Sequence, residues 1–313
     1  MNRILLKFKF VLSCVVMGSA ACLVLQSNAA VAAVSERRVA LVIGNANYAG
    51  VAKLRNPAND ARAMTRALKD LGFDVIERID ATQKETNRAI AQFGEKLDAG
   101  TTAVFYYAGH GMQVRGKNYL IPVDAEISSE SAVRTETVDV DVLLDQFATR
   151  SSTLNVVILD ACRNNPFERK FRSAAGGGLA QIEAPEGTMI AYATAPGKVA
   201  SDGTGENGLF TQELLKAIRQ PGRAVEQVFK DVRRNVMKAT GGEQTPWESS
   251  SLTGDFYFAA PNTKANAVAM EAPQPAVGET DATGKGKTTA PSSTDAQTKA
   301  AIEKRLRDFV NAR

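Results

Sequence analysis

The chain has 313 residues, of which 44% are hydrophobic and 23% charged, with a formal net charge of +4. It is too apolar for a disordered chain, and its three cysteines are too few for a disulfide scaffold. Its small positive charge is shared with both chain ends and forms no basic stripe, so nucleic acid is not expected as a partner.

Arg3, Lys7 and Lys9 precede an apolar run over residues 10–25, and small residues follow. That is the layout of a secretory signal peptide. The segment is expected over residues 1–33, with the mature chain starting between Ala30 and Val34. The run falls short of the ~20 residues a spanning helix needs, so a retained anchor is the weaker alternative and no membrane contact is expected after removal. Lipidation at Cys22 is disfavoured by Ser19, where a lipoprotein signal usually carries a branched apolar residue. The protein is therefore expected to be exported, periplasmic or secreted. Loss of the segment also removes Cys14 and Cys22, leaving Cys162 as the one thiol of the mature chain. A lone thiol in an oxidising compartment is either buried or used.

From residue 34 strand and helix patterns alternate, which predicts an α/β domain with a mostly parallel sheet flanked by helices over residues 34–260. A strand is expected over residues 38–43. A helix capped by Asn56 and Pro57 then carries Ala61, Met64, Leu68 and Leu71 on one face until Gly72. Residues 73–76 form a second strand. A capping box, Thr82 to Glu85, opens a second helix that lines up Ile90, Phe93 and Leu97. Strands are expected over 103–107, 119–123, 156–159 and 189–193, and helices over 142–147, 210–218 and 225–237. The domain closes near Phe258. Residues 261–293, rich in Ala, Pro, Thr, Gly, Ser and Lys, are expected to be a disordered linker. In residues 294–313, a Thr294–Gln297 capping pattern and Ile302, Leu306, Phe309 and Val310 predict a short amphipathic helix that docks on its own domain or a partner.

Ligands of open α/β sheets sit at the carboxyl ends of the strands. Two of the expected strands exit into reactive residues, one into Gly109-His110-Gly111 and the other into Asp160-Ala161-Cys162. If the strands are neighbours, the only histidine and the only mature cysteine meet at one edge. A thiol with a reference pKa of ~8.5 is mostly protonated at neutral pH, and an adjacent imidazole can take its proton to make the nucleophile. The glycines beside His110 leave room for a substrate backbone, and the N–H groups of Gly111 and Cys162 could bind the oxyanion of a tetrahedral intermediate. The plain alternative is that Cys162 is a small core hydrophobe and His110 a bonded turn residue. No residue pattern indicates a metal or cofactor, and calcium activation is not indicated. A nucleotide-binding domain is disfavoured, because no GxGxxG or GxxxxGK[ST] follows a strand.

The segments VALVIGNANY (39–48), LRNPANDARAM (54–64), FYYAGHG (105–111), YLIPVDA (119–125) and VILDACRNNPF (157–167) together resemble the caspase-like fold family, and within it the paracaspase branch. A weaker echo continues through NGLFTQELL (207–215). His110 and Cys162 stand 52 residues apart, close to the ~50 of caspases. The resemblance implies a caspase-like fold and a cysteine endopeptidase with a His110–Cys162 dyad. It also implies a peptide or protein substrate with Arg or Lys before the scissile bond. Caspases carry a glutamine where this chain has Asp160, and a carboxylate there attracts guanidinium and repels an aspartate side chain. Asp60 matches a second acidic pocket position; otherwise it is an exposed residue favourable to a helix dipole. Asp202 falls near a third, where Glu206 competes. Arg169, Lys170 and Arg172, beside the glycines at 176–178, make residues 163–187 a candidate self-cleavage loop, with an uncut surface loop as the alternative. Trp247 is expected near the cleft or in the core. A catalytically silent caspase-like module that binds a peptide in the same cleft is the competing function.

Overall fold

The computed structural model describes residues 36–152, 154–162, 179–195, 200 and 205–261. The expected signal peptide, the 163–178 part of the glycine-rich connection with Lys170 and Arg172, Asp202, the linker beyond Pro261 and the C-terminal helix lie outside the described residues.

The strands are β1 (Arg37–Gly44), β2 (Asp74–Ile79), β3 (Thr101–Val114), β4 (Lys117–Leu120), β5 (Val138–Asp139), β6 (Leu154–Cys162), β7 (Thr188–Tyr192) and β8 (Trp247–Ser250). They form one sheet in the order β2-β1-β3-β6-β7-β8, with β4 and β5 attached beside β3. Pairings from β2 to β7 are parallel, while β8 and the β3–β4–β5 extension pair antiparallel. The expected mostly parallel α/β architecture is therefore present. The helices are α1 (Pro57–Asp70), α2 (Gln83–Glu95), α3 (Val133–Glu136), α4 (Val140–Arg150), α5 (Leu209–Ala217) and α6 (Val225–Ala239).

Alternation along the central strands divides the core in two. Ala40, Val42, Val104, Tyr106, Ala108, Val156 and Ile158 face α1, α5 and α6. Val39, Leu41, Ile43, Phe105, Tyr107, Val157 and Leu159 face α2 and α4. Burial on both faces explains why these strands read as unbroken apolar runs rather than alternating ones. The domain closes as expected, with Phe256 and Phe258 buried in the first cluster and Arg38 donating to the Phe258 carbonyl at 2.8 Å.

Local signals account for most boundaries. Gly72, at φ 84°, ends α1, and the Thr82–Glu85 capping box forms at the start of α2. Asn56 does not cap α1 with its side chain; its carbonyl oxygen instead accepts from the N–H groups of Asn59 and Asp60, each at 2.9 Å. The larger departure is β3, which runs past its expected end through the histidine to Val114. Arg115 and Gly116, at φ 52° and 79°, form a two-residue turn of the primed kind that returns the chain as β4. Pro122 stops that strand early. The Gly109-His110-Gly111 segment is thus strand rather than the loop after one.

Gly44 ends β1 under the first turn of α1. A Cβ there would overlap the Pro57 carbonyl oxygen and lie 2.5 Å from Cβ of Ala61. Gly44→Ala is expected to destabilise the domain by about 1–3 kcal/mol through overpacking, read as a lower midpoint in urea denaturation with an unchanged slope.

Candidate active site

The strand order reverses at β1, whose connections lead to β2 on one side and, through β2, to β3 on the other. The carboxyl ends of β1 and β3 flank this switch point, where open sheets place their ligands. β3 and β6 pair in parallel with Ala108 opposite Asp160, Gly109 opposite Ala161 and His110 opposite Cys162. The single histidine and Cys162 therefore stand level on adjacent central strands.

His110 is 4% exposed and held from three directions. Its backbone N–H donates to the Tyr48 hydroxyl at 2.7 Å, and the Tyr48 ring lies 4.6 Å from the imidazole, centroid to centroid. Its carbonyl oxygen accepts from the Tyr107 hydroxyl at 2.7 Å. Nε2 lies 2.8 Å from the Ala52 carbonyl oxygen. A carbonyl only accepts, so Nε2 carries a hydrogen and Nδ1 is the basic nitrogen of the neutral ring.

The flanking glycines make room for the protein's own groups. A Cβ at Gly109, φ 156°, would come within 2.6 Å of the Tyr48 hydroxyl and 2.7 Å of the Tyr107 hydroxyl. At Gly111 it would press on Leu179 at 3.0 Å and Ala161 at 3.1 Å. Gly111 faces Leu120 across the antiparallel pair, and Ile121 N–H donates to the His110 carbonyl. This marks Gly111–Leu120 as a pair without mutual hydrogen bonds, so the Gly111 N–H points away from β4.

The two expected acids converge from different elements. Asp60, in the first turn of α1, is 2% exposed, which overturns the reading of it as an exposed helix residue. Its Oδ1 accepts from Asn207 Nδ2 at 2.8 Å and from the Gly208 N–H at 3.0 Å. Gly208 is the N-cap of α5, so this carboxylate lies where a helix end favours negative charge. Asp160 Oδ2 accepts from the Thr211 hydroxyl at 2.6 Å. A Cβ built on Gly208 would lie 3.2 Å from an Asp60 oxygen and 3.8 Å from an Asp160 oxygen. One point thus lies within 4 Å of both carboxylates.

Tyr106 reports the combined field. Burial, then the charges of Asp160 and Asp60, push its phenol well above the ordinary value, and the Thr211 hydrogen bond only partly opposes this. The phenol stays protonated, 2.6 Å from the Thr211 hydroxyl, which in turn donates to Asp160. A cavity of about 210 Å³ is lined by Asn59, Arg62, Ala63, Arg66, Glu206 and Asn207. Trp247 is 40% exposed and pairs with Tyr192 at the carboxyl end of β7. It is not a core residue. Among the described residues no group of His, Cys, Asp and Glu is arranged to hold a metal ion.

Tyr48, Ala52, Tyr106, Asn207, Gly208 and Thr211 were not singled out by sequence reasoning. Five of the six fall in the segments that carry the family resemblance, Tyr48 in VALVIGNANY, Tyr106 in FYYAGHG and Asn207, Gly208 and Thr211 in NGLFTQELL, while Ala52 falls in none.

The fold is an open, mostly parallel α/β sheet with a histidine and a cysteine level on adjacent central strands. Residues 37–257 match the model of the caspase domain, and the chain belongs to the caspase family of peptidases. It is 36% identical over 224 residues to the mucosa-associated lymphoid tissue lymphoma translocation protein 1 of Homo sapiens and 35% identical to its Mus musculus homologue. In each case the match covers 69% of this chain and 26% of the relative, so the chain spans about a quarter of their length. A probable protease of a Desulfuromonadales bacterium is 28% identical over 163 residues, covering 47% of this chain and 19% of that one.

Thr211→Val, which keeps the shape and removes the hydroxyl, is expected to cost about 1.5–3 kcal/mol of stability, because a hydrogen bond to a charged group is lost. Thr211→Ser should restore most of it in the same urea denaturation.

Proposed function

We propose that the protein is an exported cysteine endopeptidase that hydrolyses peptide bonds after arginine, and less readily after lysine. The observation that carries this reading is the β3–β6 register, which sets His110 level with Cys162. Caspase-family membership supports a protein substrate.

In the reaction, Nδ1 of His110 takes the Cys162 thiol proton while Nε2–H remains on the Ala52 carbonyl. The thiolate attacks the scissile carbonyl carbon, and the N–H groups of Gly111 and Cys162 receive the oxyanion. His110 then returns the proton to the leaving amine, and the C–N bond breaks to give a thioester. Water, deprotonated by the same imidazole, hydrolyses the thioester and restores the thiol.

Specificity follows from Asp160 and Asp60. Two carboxylates around one small space favour a guanidinium, which can pair with both through parallel hydrogen bonds, over the point charge of an ammonium. The absence of a side chain at Gly208 keeps that space open.

The test uses reporter peptides that differ only in the residue before the cut. Arginine peptides should be turned over fastest, then lysine peptides, and aspartate peptides should not be cleaved; preference for aspartate would refute the acidic pocket. Cys162→Ala and His110→Ala should each abolish turnover, and the double variant should be no worse than either single one. Asp160→Ala should lower arginine turnover by roughly 100-fold or more, because it removes a buried pairing partner worth several kcal/mol. Binding of arginine peptides without turnover by the wild-type protein would instead identify a silent binding module.

A further inference from the structure

We propose that Asp80 is a positioning residue for His110, acting through the loop of residues 45–54 that holds the imidazole. The proposal rests on the reading of His110 as the base.

Asp80 follows β2 in the left-handed region, φ 53°, a conformation that Asp tolerates better than most residues. Its N–H donates to the Gly44 carbonyl at 2.9 Å, which fixes it beside the end of β1. From there its Oδ1 accepts from two successive backbone N–H groups, Ala46 at 2.8 Å and Asn47 at 2.9 Å. Its Oδ2 accepts from Asn47 Nδ2 at 2.6 Å. The next residue is Tyr48, whose hydroxyl and ring meet His110, and four residues on is Ala52, whose carbonyl accepts from Nε2. Leu54 N–H closes the loop on the Ala46 carbonyl at 3.0 Å. Ala46 is thus tied to Asp80 through its N–H and to the far end of the loop through its carbonyl.

The carboxylate is an anion whenever the site works. Partial burial pulls its pKa up, but the N–H groups of Asn47 and Ala46, the Asn47 side chain and the charge of Arg62 outweigh this and hold it below the ordinary value of 3.8. The stability it contributes is present above that value and lost only as pH falls through the lowered one. Asp80 therefore keeps its charge across the range in which an imidazole titrates, and the clamp does not change when His110 does. Arg62 faces Asp80, while Tyr48 and Tyr107 face His110.

The structural consequence is that the Ala52 carbonyl, which selects the Nε2–H tautomer, is carried on a loop whose start is held by the Asn45 side chain and, at Ala46 and Asn47, by the Asp80 carboxylate. Without the carboxylate the loop backbone has two N–H groups to satisfy elsewhere, and the carbonyl loses its fixed position.

Because the chain contains a single histidine, full-length protein labelled with ¹⁵N-histidine gives one set of ring resonances, a readout independent of any substrate. In the wild type these should report the Nε2–H tautomer. Asp80→Ala should mix the tautomers while the protein stays folded at the assay temperature. It should lower kcat on the arginine reporter by about 10- to 100-fold, the scale of a small misplacement of a reacting group, with KM within about twofold. Asp80→Asn combined with Asn47→Asp reverses the donor and acceptor of the side-chain contact and should recover part of both readouts. If Asp80→Ala does not fold, Asp80→Gly serves, because it removes the carboxylate at a positive φ that glycine adopts without strain. Unchanged ring resonances and unchanged kcat in a folded Asp80 variant would overturn the proposal, as would a loss of kcat that only follows the unfolded fraction. If the wild type turns over no peptide, an altered tautomer in Asp80→Ala still upholds the positioning role, and only the peptidase reading fails.

Discussion

The parallel pairing of β3 with β6 is the constraint on which the site depends. A shift of one residue would put His110 opposite Ala161 and turn every inward side chain of one strand to the opposite face. The two helix layers prevent this, because Tyr106, Val156 and Ile158 pack on α1, α5 and α6 while Tyr107, Val157 and Leu159 pack on α2 and α4. The core thus sets the position of the chemistry: with both faces of both strands buried, only one register satisfies them. Asp160, two residues before Cys162, is fixed by the same pairing.

Around this rigid centre, buried polar groups hold the strand ends together. Asn45 donates to the Ile121 carbonyl at 3.1 Å, accepts from the Ala81 N–H at 3.0 Å, and its own N–H donates to the Ala108 carbonyl at 2.9 Å. One residue after β1 therefore joins the exits of β2 and β4 to the middle of β3. Buried groups of this kind tolerate little displacement, because an unmade hydrogen bond costs more than a made one gains. Rigidity at the switch point comes from this network as much as from the apolar core.

Six of the eight strands, α2 with its capping box, and the meeting of His110 and Cys162 on neighbouring strands were legible because each rests on local chemistry: an apolar run, a Thr-x-x-Glu pattern, a unique reactive residue; the two-residue β5 and the exposed β8 carry no such run. The β4 return was less so, since Arg115-Gly116 is a weaker hairpin signal than Asn-Gly and its turn depends on a positive φ at an arginine. Burial of Asp60 was illegible for a different reason. It is decided by Asn207 and Gly208, 147 and 148 residues away, and a helix's first turn reads the same whether or not another helix end is packed on it. Thr211 and Asp160 meet across 51 residues and are likewise joined only by the fold.

Two carboxylates near one point repel each other, so each needs its own support. Asp60 has the amide of Asn207 and the N-terminal end of α5, and Asp160 has Thr211, whose hydroxyl proton points to the acid because Tyr106 can serve as donor to the same oxygen. The arrangement is directional: Tyr106 cannot easily ionise between these charges, so it remains a donor, and Thr211 passes that polarity on to Asp160. Supported in this way, each acid keeps one oxygen within 4 Å of the same point beside Gly208. In the proposed arginine pocket a cation would meet dipoles that need no reorientation, the condition under which charge recognition in a partly buried site is strong.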